Sequence, residues 1–141
     1  MFIPNLEITN ATNQSVAING LVNLGNITRS TTSGCGCEKF YNFANGGNTL
    51  TLNGCGIYLV EVEAVFSGQD AGVATFTIQE NNVATTGTAS ETITTADTEI
   101  RSVDFSKIIR VLPNTKTSIT VIDTGIATTI TNFVIKVLKL K

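Results

Sequence analysis

The most regular hydrophobic pattern in the chain lies in residues 56–66. Apolar side chains recur there at every second position, which predicts one long strand with a buried face. The opposite face is mixed, because two glutamates share it with three apolar residues, so it is typical of neither solvent nor core. The buried face comprises Tyr58, Val60, Val62, Ala64 and Phe66, and the mixed face comprises Ile57, Leu59, Glu61, Glu63 and Val65.

The same two-faced pattern returns near the end of the sequence, in residues 128–140. Phe133, Ile135 and Val137 form one apolar face, while the other face is again only half apolar. Two such strands are better explained by contacts between subunits than by irregular patterning. We therefore predict an oligomer whose interface includes Leu59, Val65, Val134, Leu138 and Leu140.

The rest of the pattern predicts further short strands, separated by turns rich in Gly and Asn. The Asn19-Gly20 step has strong turn chemistry and predicts a hairpin between residues 15–18 and 21–28. No helical period lasts longer than one turn, so we predict an all-β sandwich or barrel. The other predicted strands cover residues 39–43, 49–52, 73–80, 100–112 and 117–123.

Two regions lack a clear strand pattern. Residues 83–99 are rich in Thr and Ala, and we expect a short strand at residues 83–86, a strand near residues 91–95 and a long surface loop elsewhere. Residues 1–13 show little periodicity, which indicates an extended arm or attachment segment rather than part of the core. We therefore predict a folded domain over residues 14–141.

Composition favours one domain that assembles with other subunits. The 141 residues fit a single domain. Charged residues make up 14% and the formal net charge is -2, so nucleic acid is not expected as a partner. Low charge and a mean hydropathy of +0.22 are common where protein surfaces meet other subunits. No run of about 18 apolar residues and no signal-peptide pattern occurs, so we expect synthesis in the cytoplasm and no membrane association.

The sequence contains no histidine, which excludes Ser-His-Asp and Cys-His catalysis and histidine-ligated zinc. Glu61 and Glu63 remain as a candidate carboxylate pair, because side chains two residues apart on a strand share one face at roughly 7 Å. An alternating strand also places glutamates in solvent or at an interface, and we favour this interpretation. We accordingly predict no catalytic residue and no cofactor.

Three cysteines, Cys35, Cys37 and Cys55, are too few for a disulfide framework. Together with Glu38 they offer the kinds of ligand that zinc accepts. The spacing lacks a second Cys-x-x-Cys pair, and a plain loop or a disulfide to Cys55 explains the cysteines as well. We predict no metal, and the role and redox state of the thiols stay open.

Residues 56–66, taken with residues 119–140, resemble the TNF/C1q-like jelly roll, whose members carry a Gly-Xaa-Tyr strand of this kind and end in a hydrophobic strand. Five short segments also resemble small bacteriophage structural proteins of that fold. They are QSVAING at residues 14–20, VNLG at 22–25, TLTLNGCGIY at 49–58, QENNVA at 79–84 and DTGIATTITN at 123–132.

The resemblance implies a homotrimeric jelly roll exposed on a phage particle, as a head fibre, a capsid decoration protein or a tail-associated trimer. Residues 1–13 would then attach it to the capsid or to another virion protein. The resemblance supplies no role for the loop that carries Cys35 and Cys37. The implied attachment residues are Phe2, Ile3, Pro4, Leu6 and Ile8.

Three functions are compatible with these observations. The first, which we favour, is a non-enzymatic virion accessory protein that is made in the host cytoplasm and displayed on the virion surface. The second is a carbohydrate- or receptor-binding module of a tail or cell surface, with residues 83–99 at the site and a host-surface glycan as ligand. The third is a glycan-cleaving enzyme that uses Glu61 and Glu63.

Overall fold

The computed structural model describes residues 3–31 and 39–141, which form a sandwich of two antiparallel sheets. No helix occurs among these residues, and hence none that could cross a bilayer. The all-β prediction is confirmed. The strands are β1 (Asn5–Asn10), β2 (Gln14–Val16), β3 (Gly20–Leu21), β4 (Asn26–Thr31), β5 (Tyr41–Asn42), β6 (Leu50–Leu52), β7 (Gly56–Gly68), β8 (Gly72–Glu80), β9 (Val83–Ile93), β10 (Ile100–Val111), β11 (Thr117–Asp123) and β12 (Thr128–Lys139).

The twelve described strands divide equally between the two sheets. Sheet A has the order β10-β7-β12-β1-β4, with β2 paired to one end of β12. Sheet B has the order β5-β6-β11-β8-β9, with β3 paired to β11. The chain crosses repeatedly from one layer to the other, which is the connectivity of a Greek-key sandwich rather than of a meander.

Strand β7 has 13 residues and lies in the interior of sheet A, between β10 and β12. Each side chain of its predicted buried face is at most 1% exposed. Phe66 on this face meets Phe76 of sheet B edge to face, with ring centroids 5.0 Å apart. The predicted burial of residues 56–66 is therefore confirmed.

Strand β12 lies beside β7 and repeats its pattern. Phe133, Ile135 and Val137 are fully buried between the sheets. Val134 and Leu138 lie on the outer face and are only partly exposed. The prediction that the last strand has one buried face and one partly exposed face is therefore confirmed.

The N-terminal segment belongs to the sandwich, contrary to the prediction that it lies outside the core. Asn5–Asn10 form β1, which lies between β12 and β4 in sheet A. Leu6 and Ile8 are at most 1% exposed and pack in the core. The arm interpretation is wrong for these residues, because an apolar pair within a run of Asn and Thr gives only a weak periodic signal.

This burial changes the set of residues available for attachment. Leu6 and Ile8 are enclosed between the sheets, so their side chains cannot contact a virion protein in the folded state. Ile3 is 43% exposed and Pro4 is partly exposed. Phe2 lies outside the described residues. The attachment role itself stays a prediction.

The predicted hairpin around Asn19-Gly20 is wrong in its pairing. The turn is present, since Asn19 has a φ of 63° and the Gly20 amide donates to the Ala17 carbonyl at 2.8 Å. However, β2 pairs with β12 in sheet A and β3 pairs with β11 in sheet B. Turn chemistry specifies that the chain reverses, and it does not specify which strand becomes the partner.

Residues 83–99 contain more strand than predicted. Strand β9 runs along β8 with one register shift, where a long loop was expected. Hydroxyl pairs join the two strands, Thr75 with Ser90 at 2.8 Å and Thr77 with Thr88 at 2.9 Å. A strand rich in Thr has weak hydrophobic alternation even when its pairing is good, which explains the error.

Candidate functional site

Side chains on the outer face of sheet A form rows across the strands, because antiparallel partners in register point to the same side. One row is apolar and joins Ile108 of β10, Leu59 of β7 and Leu138 of β12. Ile108 is 60% exposed, whereas Leu59 and Leu138 are partly covered by neighbours. We call these three residues the apolar band.

The adjacent row is charged and alternates in sign. Glu61 lies opposite Lys136, Lys136 opposite Glu7, and Glu7 opposite Arg29 of β4. We call these four residues the charged row. Among the described residues, the ion pair within 4.0 Å is Arg101–Glu99, so none joins members of the charged row, although the Glu7 carboxylate accepts a hydrogen bond from the Thr28 hydroxyl at 3.0 Å. Exposed cross-strand pairs of opposite charge contribute only about 0.2–1 kcal/mol.

Two carboxylates lie opposite each other in the next row, on the side of the charged row away from the apolar band. Glu63 of β7 and Asp104 of β10 are direct cross-strand partners on the outer face. They line a depression of about 240 Å³ together with Val65, Ser102 and Asn132. Like charges directly opposite each other are destabilising, so this position favours a cation supplied from outside the chain.

Glu61 and Glu63 do not converge on a common cleft. Both lie on the open outer face, where Glu61 faces Lys136 and Glu63 faces Asp104. The depression beside Glu63 is not lined by Glu61. Glycoside cleavage requires two carboxyl groups that flank one bond of a bound sugar, and this placement does not favour that function.

The outer face of sheet B has a different character. Strand β8 presents Val73, Thr75, Thr77 and Gln79 outward, so this strand adds no charge to the face. The threonines are paired with hydroxyls of β9, and the Thr120 hydroxyl of β11 donates to the side-chain oxygen Oε1 of Gln79 at 3.0 Å. Satisfied hydroxyls are typical of a solvent-facing sheet, whereas exposed apolar residues beside charges are typical of interfaces.

The residues predicted to lie at a subunit interface fall together on one surface. Leu59 and Val65 of β7 and Val134 and Leu138 of β12 all lie on the outer face of sheet A. Leu140 follows the end of β12, is 49% exposed and is held to β7 by a backbone hydrogen bond. The structure brings the five positions to one side of the molecule, and their contact with another subunit stays a prediction.

Sequence reasoning missed Ile108 and the basic members of the charged row. The signal for Ile108 was the adjacent pair Ile108-Ile109, since only one of two consecutive strand residues can face inward. Arg29 was read from composition as the first residue of a loop at residues 29–38, whereas it lies within β4. Lys136 lies on the half-apolar face of the last strand, where only Val134, Leu138 and Leu140 were assigned a role.

Cys55 lies directly before β7, is exposed, and forms no disulfide within the described residues. It lines a depression of about 390 Å³ together with Arg110 and Lys141. Burial, with a smaller contribution from Cys55, raises the pKa of Tyr58 to about 12. The Tyr58 hydroxyl therefore stays protonated and donates to the Gly54 carbonyl, which fixes this end of the strand.

The cysteine cluster that was weighed as a zinc site, against the prediction of no metal, falls mostly outside the described residues. Cys35, Cys37 and Glu38 lie outside them. Within residues 3–31 and 39–141, no group of three or more His, Cys, Asp or Glu side chains gathers to form a metal site.

Comparison with known proteins identifies the fold. No protein-family model and no curated protein matches the sequence. The globular domain of zebrafish complement 1qA matches with a TM-score of 0.69 at 8% identity, over 98% of each chain. Murine APRIL gives 0.65 at 9% identity, over 99% of this chain and 100% of its own. The chain has the TNF/C1q-like jelly-roll fold.

A phage structural protein shares this fold. The PRD1 vertex protein P5 matches with a TM-score of 0.56 at 12% identity, over 98% of this chain and 97% of its own. At such identities a likeness shows the fold alone. The predicted jelly roll and the predicted likeness to phage structural proteins are confirmed in that sense.

Proposed function

We propose that the protein is a non-enzymatic accessory protein of a phage virion, assembled as a homotrimer and displayed on the particle as a head fibre or capsid decoration. The observation that carries this proposal is the contrast between the two outer faces of the sandwich. The fold shared with the PRD1 vertex protein P5 supports the virion part.

The apolar band supports assembly through sheet A. Ile108 is 60% exposed, and it lies beside Leu59 and Leu138 rather than singly among polar residues. Complete burial of one such side chain is worth roughly 1.5–3 kcal/mol. A trimer that covers the band on every subunit gains this energy at three neighbouring side chains. Sheet B also exposes Val73 and Leu21, at 49% and 39%, but they lie in different rows, Val73 opposite Thr92 and Leu21 opposite Ile122.

The positions of the charges fit a cyclic contact. In a ring of three subunits, one side of a face meets a different side of the neighbouring copy. Glu63 and Asp104 lie toward the β10 edge of sheet A, whereas Arg29 lies on β4 at the opposite edge. Such a contact places a cation from one subunit near the carboxylate pair of the next and relieves its repulsion.

Leu138→Asp tests the assembly face. We expect a folded monomer in sedimentation analysis, because the new carboxylate would lie in the apolar band and would be desolvated in the trimer. Val73→Asp is the matched control. Val73 is 49% exposed on the outer face of sheet B, so its replacement should leave the trimer intact. A monomeric parent protein, or a trimer that survives Leu138→Asp, would contradict the proposal.

Val137→Asp separates the two faces of β12. Val137 is fully buried, so an aspartate there places an unpaired charge in the core and should unfold the chain. Circular dichroism would distinguish this outcome from the folded monomer expected for Leu138→Asp. Equal effects of the two substitutions would show that β12 does not divide its residues between core and interface.

The virion part of the proposal has its own test. We expect antibodies against the protein to label the surface of purified particles of the phage that encodes it, in electron micrographs. Particles that lack the chain would contradict this part and leave the assembly face unaffected.

A further inference from the structure

A cleft lined mainly by side-chain amides opens at one end of the sandwich. Its volume is about 330 Å³, and it lies between the end of β1, the start of β2 and the loops before β4 and β6. One threonine and two glycines complete the lining, so no lining residue is charged, aromatic or aliphatic. We call this site the amide cleft, and its amides are Asn10, Asn13, Gln14, Asn23 and Asn26.

Three of these amides hold the cleft in shape. The Gln14 side chain donates to the backbone carbonyl of Asn23 and accepts from the backbone N–H of Asn23, both at 2.9 Å. The Asn23 side chain donates to the Gly46 carbonyl and accepts from the Gly25 amide, also at 2.9 Å. The Asn10 side chain donates to the Asn23 carbonyl at 3.1 Å. A ligand would therefore meet a preorganised surface and would lose little energy in ordering it.

Other side chains of the cleft have no hydrogen-bond partner within the described residues. They are the exposed side chains of Thr12, Asn13 and Asn26, although the Thr12 backbone amide donates to Asn10 Oδ1 at 2.9 Å and the Asn26 backbone is paired with Thr9 in sheet A. Each carboxamide offers two donors and one carbonyl acceptor. The cleft thus presents closely spaced donors and acceptors on a framework that its other amides fix.

We infer that the amide cleft binds a neutral saccharide. Vicinal sugar hydroxyls each donate and accept, which matches the paired donor and acceptor of a carboxamide. The lining holds no cation for a phosphate or carboxylate and no anion for a basic ligand. It also lacks the apolar wall that a lipid or an aromatic ligand needs.

A peptide strand is the other ligand that amides recognise, and two observations disfavour it. Strand β4 is the edge strand beside the cleft, but the Ile27 amide already donates to Asn45 Oδ1 at 2.9 Å. The cleft also provides no apolar pocket for a peptide side chain. Strand addition to a sheet needs both an open edge and such pockets.

Glycan binding by the full-length protein tests the inference. The probes are an array of neutral and sialylated glycans and, in solution, methyl glycosides of neutral sugars at millimolar concentration, followed by NMR. We expect neutral glycans to bind and to shift the amide resonances of Asn13 and Asn26. Replacing both residues by Ala should weaken binding about tenfold, because two hydrogen-bonding side chains are removed.

Asn53→Ala is the matched control, since Asn53 is exposed at another part of the surface. It should leave binding unchanged. Asn26→Asp preserves side-chain size and provides a second variant if the double replacement does not fold. No binding of any neutral glycan, unchanged binding after both substitutions, or a preference for sialylated glycans or peptides would overturn the inference. Sedimentation tests the proposed trimer separately.

Discussion

Asp123 is a carboxyl group buried inside the sandwich at the end of β11. Its two oxygens accept hydrogen bonds from the Thr128 hydroxyl at 2.9 Å and from the Gly125 amide at 3.1 Å. Burial raises its pKa to about 6, because these two hydrogen bonds only partly replace the solvation that the charged form loses. Asp123 is therefore a titrating group in the core of a protein without histidine.

We predict that Asp123 makes the fold more stable in mild acid. The unfolded pKa is 3.8 and the folded pKa is about 6, so protonation favours the folded state. This stabilisation is complete below the unfolded value and is lost as the pH rises through the folded value, with an upper limit of about 3 kcal/mol. Urea denaturation between pH 4 and pH 7 measures it as a decreasing free energy of unfolding.

Asp123→Asn should remove that decrease. The amide keeps the shape of the carboxyl, and the Thr128 hydroxyl can rotate to accept from it. A variant whose stability still falls as steeply as that of the parent protein would assign the pH dependence to another group.

The pKa of Glu99 is shifted in the opposite direction from that of Asp123. Its carboxylate accepts from the amides of Thr95 at 3.1 Å and Thr94 at 2.5 Å and pairs with Arg101, and these donors lower its pKa to about 2. Its contribution to stability is complete above the unfolded pKa of 4.5 and is lost as the pH falls toward 2.

We predict faster hydrogen exchange at the Thr94 and Thr95 amides in Glu99→Gln. Asp97→Asn, in the same loop, should leave both rates unchanged, and equal rates in the two variants would contradict this role.

At the scale of elements, large apolar residues at a period of two made β7, β8, β11 and β12 predictable. Strand β9 was not predicted in full, because it turns Gly87 and Ala89 toward the core instead of bulky residues. The same glycine explains why β10 carries Lys107 at an inward-facing position between the buried Phe105 and Ile109. The lysine stem packs over Gly87, and its ammonium group reaches the Thr86 hydroxyl at 3.0 Å. Small residues leave no hydrophobic signal, so the pattern alone could not locate this contact.

The candidate site was predictable only where it lay on such strands. Leu59 and Leu138 could be assigned to an outer face from alternation within their own strands. Their apposition with Ile108 depends on which strands pair, and the charged row depends on β1 and β4 as neighbours. The amide cleft draws on four separate segments, and each Asn reads singly as a turn residue.

Two glycines of the loops around the amide cleft differ in a way that can be measured. Gly25 and Gly46 have φ values of 98° and 82°, which strain any L-residue. A Cβ at Gly25 would overlap the Thr9 carbonyl, whereas a Cβ at Gly46 meets nothing within 4 Å. We predict that Gly46→Ala loses about 1–2 kcal/mol of stability from backbone strain, and that Gly25→Ala loses several kcal/mol. Equal losses in thermal unfolding would show that the overlap relaxes freely.

At the scale of the molecule, sheet A combines two roles. Its inner face supplies much of the core, and in the proposed trimer its outer face supplies the contact between subunits. Because β1 belongs to this sheet, fold and attachment cannot be separated by removing residues 1–13. That deletion would expose the edges of β12 and β4 and remove Leu6 and Ile8, where loss of one such side chain alone typically costs 2–5 kcal/mol.

A shorter deletion separates the two roles. Removing residues 1–3 keeps Pro4, whose carbonyl accepts from the Lys139 amide at 3.0 Å, and keeps the whole of β1. We predict that this variant stays folded and trimeric in sedimentation but binds phage particles at least tenfold more weakly, whereas the deletion of residues 1–13 does not fold. Ile3→Asp should reproduce the binding loss without shortening the chain, since Ile3 is an exposed apolar residue in this segment. Undiminished particle binding by the short deletion would move the attachment surface from the N-terminus to the body of the sandwich.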